Sequence, residues 1–191
     1  MIVFSSEVDD KLIPQWLNEL ERHGMECEFH PDFSFTDQTG YLPIKLKILN
    51  PCHDAWINKH FLTGFEFYLD DFNLDTELKA RQPKQSFWKS IFARGEPAVT
   101  PFVSKDIDSK LEKYNTQMSF VWGSSDPFAL RVATISAAIL AKLTGGLCTY
   151  QFEEWYPDTP ETVRQFLINA DGFERSLNPS KQEATEFDGW D

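Results

Sequence analysis

The chain has 191 residues, 41% of them hydrophobic and 15% aromatic, a composition that excludes wholesale disorder and predicts one domain with a sizeable core. A net charge of −12, from 30 acids against 18 bases, excludes a protein that grips nucleic-acid phosphates with clustered Lys and Arg. Cys27, Cys52 and Cys148 are irregularly spaced and predict free thiols in a reducing cytoplasm, and MIVFSSEVDD lacks the basic and apolar character of a secretory signal.

The first elements follow from periodicity. Met1 to Phe4 predicts a short strand. Ile13, Trp16, Leu17 and Leu20 recur at helical spacing from about Leu12, and Gly24 supplies the stop. Met25 to Phe35 sets Cys27 and Phe29 against Glu26, Glu28 and His30, the alternation of a half-buried strand. After the turn Asp37-Gln38-Thr39-Gly40, Tyr41 to Leu49 alternates Leu42, Ile44 and Leu46 with Lys45 and Lys47, predicting an antiparallel hairpin. Asn50-Pro51 ends it. A short helix at Cys52 to Phe61, a strand at Phe65 to Leu69, and a helix from Asp75 to Phe92, interrupted at Pro83, come next. Residues 93–115 contain a polar helical piece, Asp106 to Tyr114, within a loop or surface insertion.

The strand–helix–strand unit from Met118 to Tyr150 is the clearest part of the sequence. Met118 to Trp122 is a strand, and Gly123-Ser124-Ser125-Asp126-Pro127 starts a helix with capping side chains and Pro in the first turn. Pro127 to Leu143 is apolar nearly all round, which predicts burial, and Ala129, Ala133, Ala137, Ala138 and Ala141 permit close approach to a sheet. Gly145-Gly146 ends it, and Leu147 to Phe152 returns as a strand. A further helix runs from Thr159 to Asn169, and residues 178–191 form a polar, flexible tail. The expected fold is therefore a single α+β domain over residues 1–177, a mostly antiparallel sheet around a buried central helix.

Candidate chemistry is sparse. Cys27-x-x-His30 has the spacing of half a zinc site, with Cys52-His53 to complete it, yet an offset of three on a strand points to opposite faces. Asp70-Asp71, with Asp32 and Asp54, is a possible Mg²⁺ cluster but reads more simply as a turn. Ser124 and Ser125 lack the frame of a nucleophile elbow. No catalytic residue, metal site or cofactor is expected. Lys79 to Arg94 holds five bases and no acid, interleaved with Phe87, Trp88 and Phe92, and helical spacing makes these an amphipathic helix before a stacking surface.

The acid excess lies toward the chain ends: nine acids against four bases in residues 1–50, ten against three in residues 151–191, and eleven of each between. If the ends meet, they form one negative face able to steer a basic partner; otherwise the charge serves solubility. Glu153-Glu154-Trp155-Tyr156-Pro157-Asp158 stands out, because two adjacent aromatics on an extended segment cannot both face one core; either one is left as an interface anchor among acids or both pack under the following loop. The run Ser124-Ser125-Asp126 through Ala138, Leu140-Ala141 and Leu143-Thr144-Gly145-Gly146 to Trp155-Tyr156 resembles small bacterial proteins of unknown function. Trp16-Leu17, Leu20, Gly24, Glu28, His30-Pro31 and Gly40-Tyr41-Leu42-Pro43 fit the same pattern. Some of those proteins are akin to immunity proteins of polymorphic toxin systems. The resemblance implies a cytoplasmic protein that binds and neutralises a basic toxin. A small hydrolase with a site assembled from distant residues is the alternative.

Overall fold

A computed structural model describes residues 1–6, 8–36, 40–81, 100–123, 126, 128–179 and 184–190. Along them the chain runs β1 (Ile2–Ser5), α1 (Leu12–Arg22), β2 (Met25–Phe29), β3 (Gly40–Ile48), a 3-10 turn (Asp54–Trp56), β4 (Phe61–Asp71), α2 (Leu74–Arg81) and α3 (Lys105–Leu111). There follow β5 (Thr116–Val121), α4 (Ala129–Thr144), β6 (Leu147–Tyr150), β7 (Glu154–Tyr156), α5 (Pro160–Ser176) and β8 (Thr185–Glu186). The strands form one sheet in the order β2-β3-β4-β5-β1-β6-β7, with β8 on the edge of β4 that β3 leaves free. Every neighbouring pair is antiparallel, so the fold is α+β, as the sequence predicts.

Strand alternation divides the interior into two cores. Val3 enters the larger one and Phe4, its neighbour on β1, the smaller. In the larger core Trp16 and Leu20 of α1 and the length of α4 cover Phe65, Phe67, Met118 and Phe120. From Val132 to Ala141 every residue of α4 except Thr134 is buried, and its alanines let backbone approach backbone. Asp126 opens the helix, its Oδ1 accepting from the Phe128 and Ala129 N–H groups at 2.8 and 3.2 Å. Its Oδ2 accepts from Thr63 Oγ1 at 2.5 Å, which ties the helix start to β4. Gly145 closes the helix at φ 60°, and a Cβ on Gly146 would lie 2.4 Å from the Phe4 carbonyl oxygen, so α4 and β1 meet there without room for a side chain. The smaller core, on the opposite face, joins Phe4, Phe72, Phe102 and Leu147 to Leu74 of α2 and Leu111 of α3.

Several boundaries differ from expectation. The helix expected over Cys52 to Phe61 is only the 3-10 turn, because Phe61 and Leu62 are claimed by ladders with β3 and β8. β4 is accordingly longer than Phe65 to Leu69, and β2 stops at Phe29, just before Pro31, which has no N–H for the ladder. The last long helix continues past Asn169 to Ser176 because Ala170 and Glu174 prolong its buried face. The segment expected as a tail includes β8, paired with β4. The expected helix beyond Arg81, with Phe87, Trp88 and Phe92, and the caps Ser124, Ser125 and Pro127 lie outside the described residues. Arg81 itself donates to the Phe102 carbonyl at 3.0 Å and sits 3.8 Å from that ring's centroid.

Glu19 links α1 to α4 by accepting from Lys142 Nζ at 2.7 Å, and Arg22 donates to its other oxygen at 2.6 Å. The Lys142 hydrogen bond holds this buried carboxyl below its ordinary value of 4.5. A depressed carboxylate contributes stability that is present above 4.5 and lost as pH falls through the folded-state value. The stability advantage of wild type over Glu19→Gln is therefore expected at pH 7 and expected to shrink below pH 4.5 in urea titrations.

Candidate functional site

The chain reverses after β6 through Gln151 and Phe152, at φ 51° and 61°, with the Glu153 N–H donating to the Tyr150 carbonyl at 3.0 Å. The segment expected to leave the sheet therefore returns as β7, where Glu154, Trp155 and Tyr156 pair with Tyr150, Thr149 and Cys148. Alternation then sends the two aromatics to opposite faces. Trp155 lies parallel to Phe4 at 6.0 Å in the smaller core and donates from Nε1 to the Phe152 carbonyl at 3.3 Å. Tyr156 meets Phe166 of α5 edge-on at 4.8 Å, on the side of the larger core. Its hydroxyl donates to Glu154, and burial first, then that carboxylate, pushes the phenol up to about 12. Both aromatics are half-buried.

What remains outward is charge. Glu153, Glu154 and Asp158 are exposed, and β7 ends the sheet, with no strand on its outer edge among the described residues. An open edge offers unpaired backbone N–H and C=O groups to an incoming strand. The acid-rich chain ends meet only in part: Trp190 reaches Glu28 of β2, whereas β7, with Glu153 and Glu154, lies at the opposite end of a seven-strand path from β2, six spacings of about 4.8 Å away. At the β2 end, Glu28 and Glu26 pair with Lys45 and Lys47 at 2.9 and 3.5 Å. Glu174, from the other acid-rich end, is spent inside the protein, its two oxygens accepting from Arg131 Nε and Nη2 at 2.6 and 2.8 Å. In the sequence this buried pair shows only as Arg131, one of two bases in a largely apolar helix.

The remaining candidates are dispersed. A cleft of about 530 Å³ opens beside Ser6, Asp9, Asp71, Asn115 and Thr116, and a second of about 390 Å³ adjoins it at Asp70 and Asp71. Among the described residues no group of three or more His, Cys, Asp or Glu is placed to hold a metal ion. Cys27 and His30 go separate ways, Cys27 packing against the larger core and His30 edge-on to Trp190 at 5.3 Å. Burial pushes the Cys27 and Cys148 thiols up to about 12, whereas Cys52 is exposed. A thiol reagent at pH 8 is thus expected to label Cys52 alone in the native protein and all three cysteines in denaturant; prompt native labelling of a second would contradict their placement.

No family model, curated protein or solved structure matches this chain. No helix among the described residues is long and apolar enough to cross a membrane.

Proposed function

We propose that this is a cytoplasmic binding protein that docks a basic protein along the β7 edge, as an immunity protein does when it neutralises a toxin. The observation that carries the reading is an open strand edge bordered by the exposed carboxylates Glu153, Glu154 and Asp158. Such an edge supplies main-chain hydrogen bonds for affinity and negative charge for steering. Trp155 and Tyr156 contribute by clamping β7 from both faces, which keeps its backbone extended and ready to pair.

The test begins with a pull-down from the native host and identification of a basic partner. Reversing Glu153 and Asp158 to Lys should then slow association by about tenfold at low salt, with the deficit closing as the Debye length falls to about 3 Å at 1 M salt. Unchanged association rates in both variants would remove the β7 edge from the interface. The runner-up, a small hydrolase, has the cleft at Asp9, Asp70 and Asp71 in its favour. Turnover of an ester or phosphoester that Asp71→Asn abolishes would move the reading there.

A further inference from the structure

The far end of the sheet carries a strap. Thr185 and Glu186 pair with Leu62 and Phe61, and the Phe187 N–H prolongs the ladder by donating to the His60 carbonyl at 2.9 Å. Side chains continue the attachment toward β3 and β2. Glu186 forms an ion pair with Lys59, and Lys45 Nζ lies 5.2 Å from the centroid of the Phe187 ring. Phe187 meets Trp190 edge-on at 4.9 Å. Trp190 in turn lies edge-on to His30 and donates through Nε1 to Glu28 at 3.0 Å, and this bond, with that from Lys45, holds the Glu28 carboxyl below its usual range.

This is the layout of a receptor and its ligand within one chain. The edge of β4 provides backbone partners, Lys59 and Lys45 receive an acid and an aromatic face, and Glu28 with His30 holds an indole. The ligand half is lightly tied. Its ladder has two residue pairs, and Thr185, Glu186, Asp188 and Gly189 are exposed. Ala184 packs on the larger core, whereas the Phe187–Trp190 pair lies outside it. Light attachment places such a segment at the low end of the local stability range, where opening is frequent.

We propose that the surface formed by Glu28, His30, Lys45, Lys59 and the Phe61–Leu62 edge is a peptide-docking groove, occupied in this chain by its own strap. Its external ligand is a short acidic peptide that adds to β4 as an antiparallel strand and carries two aromatics spaced as Phe187 and Trp190 are. The site is independent of the β7 edge and opposite to it in charge preference. A tethered segment competes at the high effective concentration that tethering gives, so an outside peptide gains access when the strap is weakened.

The probe is a fluorescent peptide spanning residues 184–191, added to the full chain carrying Phe187→Ala and Trp190→Ala. It is expected to bind that variant at least about tenfold more tightly than wild type, and adding Lys59→Glu should remove the gain. Should the double variant fail to melt cooperatively, Glu186→Lys decides: it releases the Lys59 pair at an exposed position and should raise peptide affinity a few-fold. Equal binding to wild type and variants, or no binding to any of them, overturns the proposal.

Discussion

Ala137→Asp is expected to leave the protein unfolded at 25 °C. Ala137 is fully buried in the middle of α4, inside the larger core. An aspartate there would be set among the apolar side chains of that core. An uncompensated ion of this kind has an effective penalty of several kcal/mol even after relaxation. The added atoms must also displace close-packed neighbours, at about 1–3 kcal/mol more. Against a total stability of about 5–15 kcal/mol, the sum removes most or all of the folded state. Far-ultraviolet circular dichroism and a thermal melt would report it; a cooperative transition near the wild-type midpoint would contradict the placement of α4.

Removal of Glu174 is expected to be the next most damaging change. Arg131 is 5% exposed and Glu174 1%, and their two-pronged bond joins α4 to α5. Burial alone lowers the Arg131 pKa, and the carboxylates of Glu174 and Asp171 more than reverse that. Glu174→Ala would leave the guanidinium with Asp171, whose side chain is 47% exposed. Breaking a buried pair from one side destabilises by about 3–5 kcal/mol, whereas replacing both partners with apolar residues of similar volume is often neutral. Urea denaturation should therefore show a large loss for Glu174→Ala and a much smaller one for Arg131→Met with Glu174→Leu. The exposed pair Glu161–Arg164, its side chains 80% and 74% accessible, serves as the control, and Glu161→Ala should cost under about 1 kcal/mol. Equal effects at Glu161 and Glu174 would deny the buried pair any special weight.

The fold was legible wherever one face of an element is apolar and the other polar. The β2–β3 hairpin, with Cys27 opposite Leu46 and Glu28 opposite Lys45, follows directly from period-two alternation. The burial of α4 was legible on a different ground, a run apolar nearly all round and closed by Gly145-Gly146. Legibility failed where the sheet is covered on both faces. Trp155 and Tyr156 were expected either to leave one ring for a partner or both to pack beneath the following loop, with no second core foreseen. The second core around Phe4, Phe72 and Phe102 gives each of them a face to pack on. That core is assembled from segments far apart in the chain, and no local period announces it. The carboxylates at 153, 154 and 158 were visible as acids, but their place on an open edge depends on the turn at Gln151 and Phe152, two non-glycine residues at positive φ. Arg131 illustrates the same limit, since its partners stand about forty positions later on another helix.

The position of β1 bears on how the chain reaches this state. β1 sits between β5 and β6, pairing Ile2 with Ser119 on one side and with Thr149 on the other. Both partners are more than a hundred residues away, so the middle of the sheet closes only after a long loop has been ordered, and the entropy of that closure falls before the contacts that offset it. Refolding should consequently be limited by the docking of β1, in the slow range typical of non-local β pairing, while the local β2–β3 hairpin forms early. During synthesis the same geometry leaves Ile2 to Ser5 without a partner until β5 has emerged from the ribosome. For that interval the strand destined for the centre of the sheet is an exposed apolar edge, the part of the nascent chain a chaperone has most reason to hold.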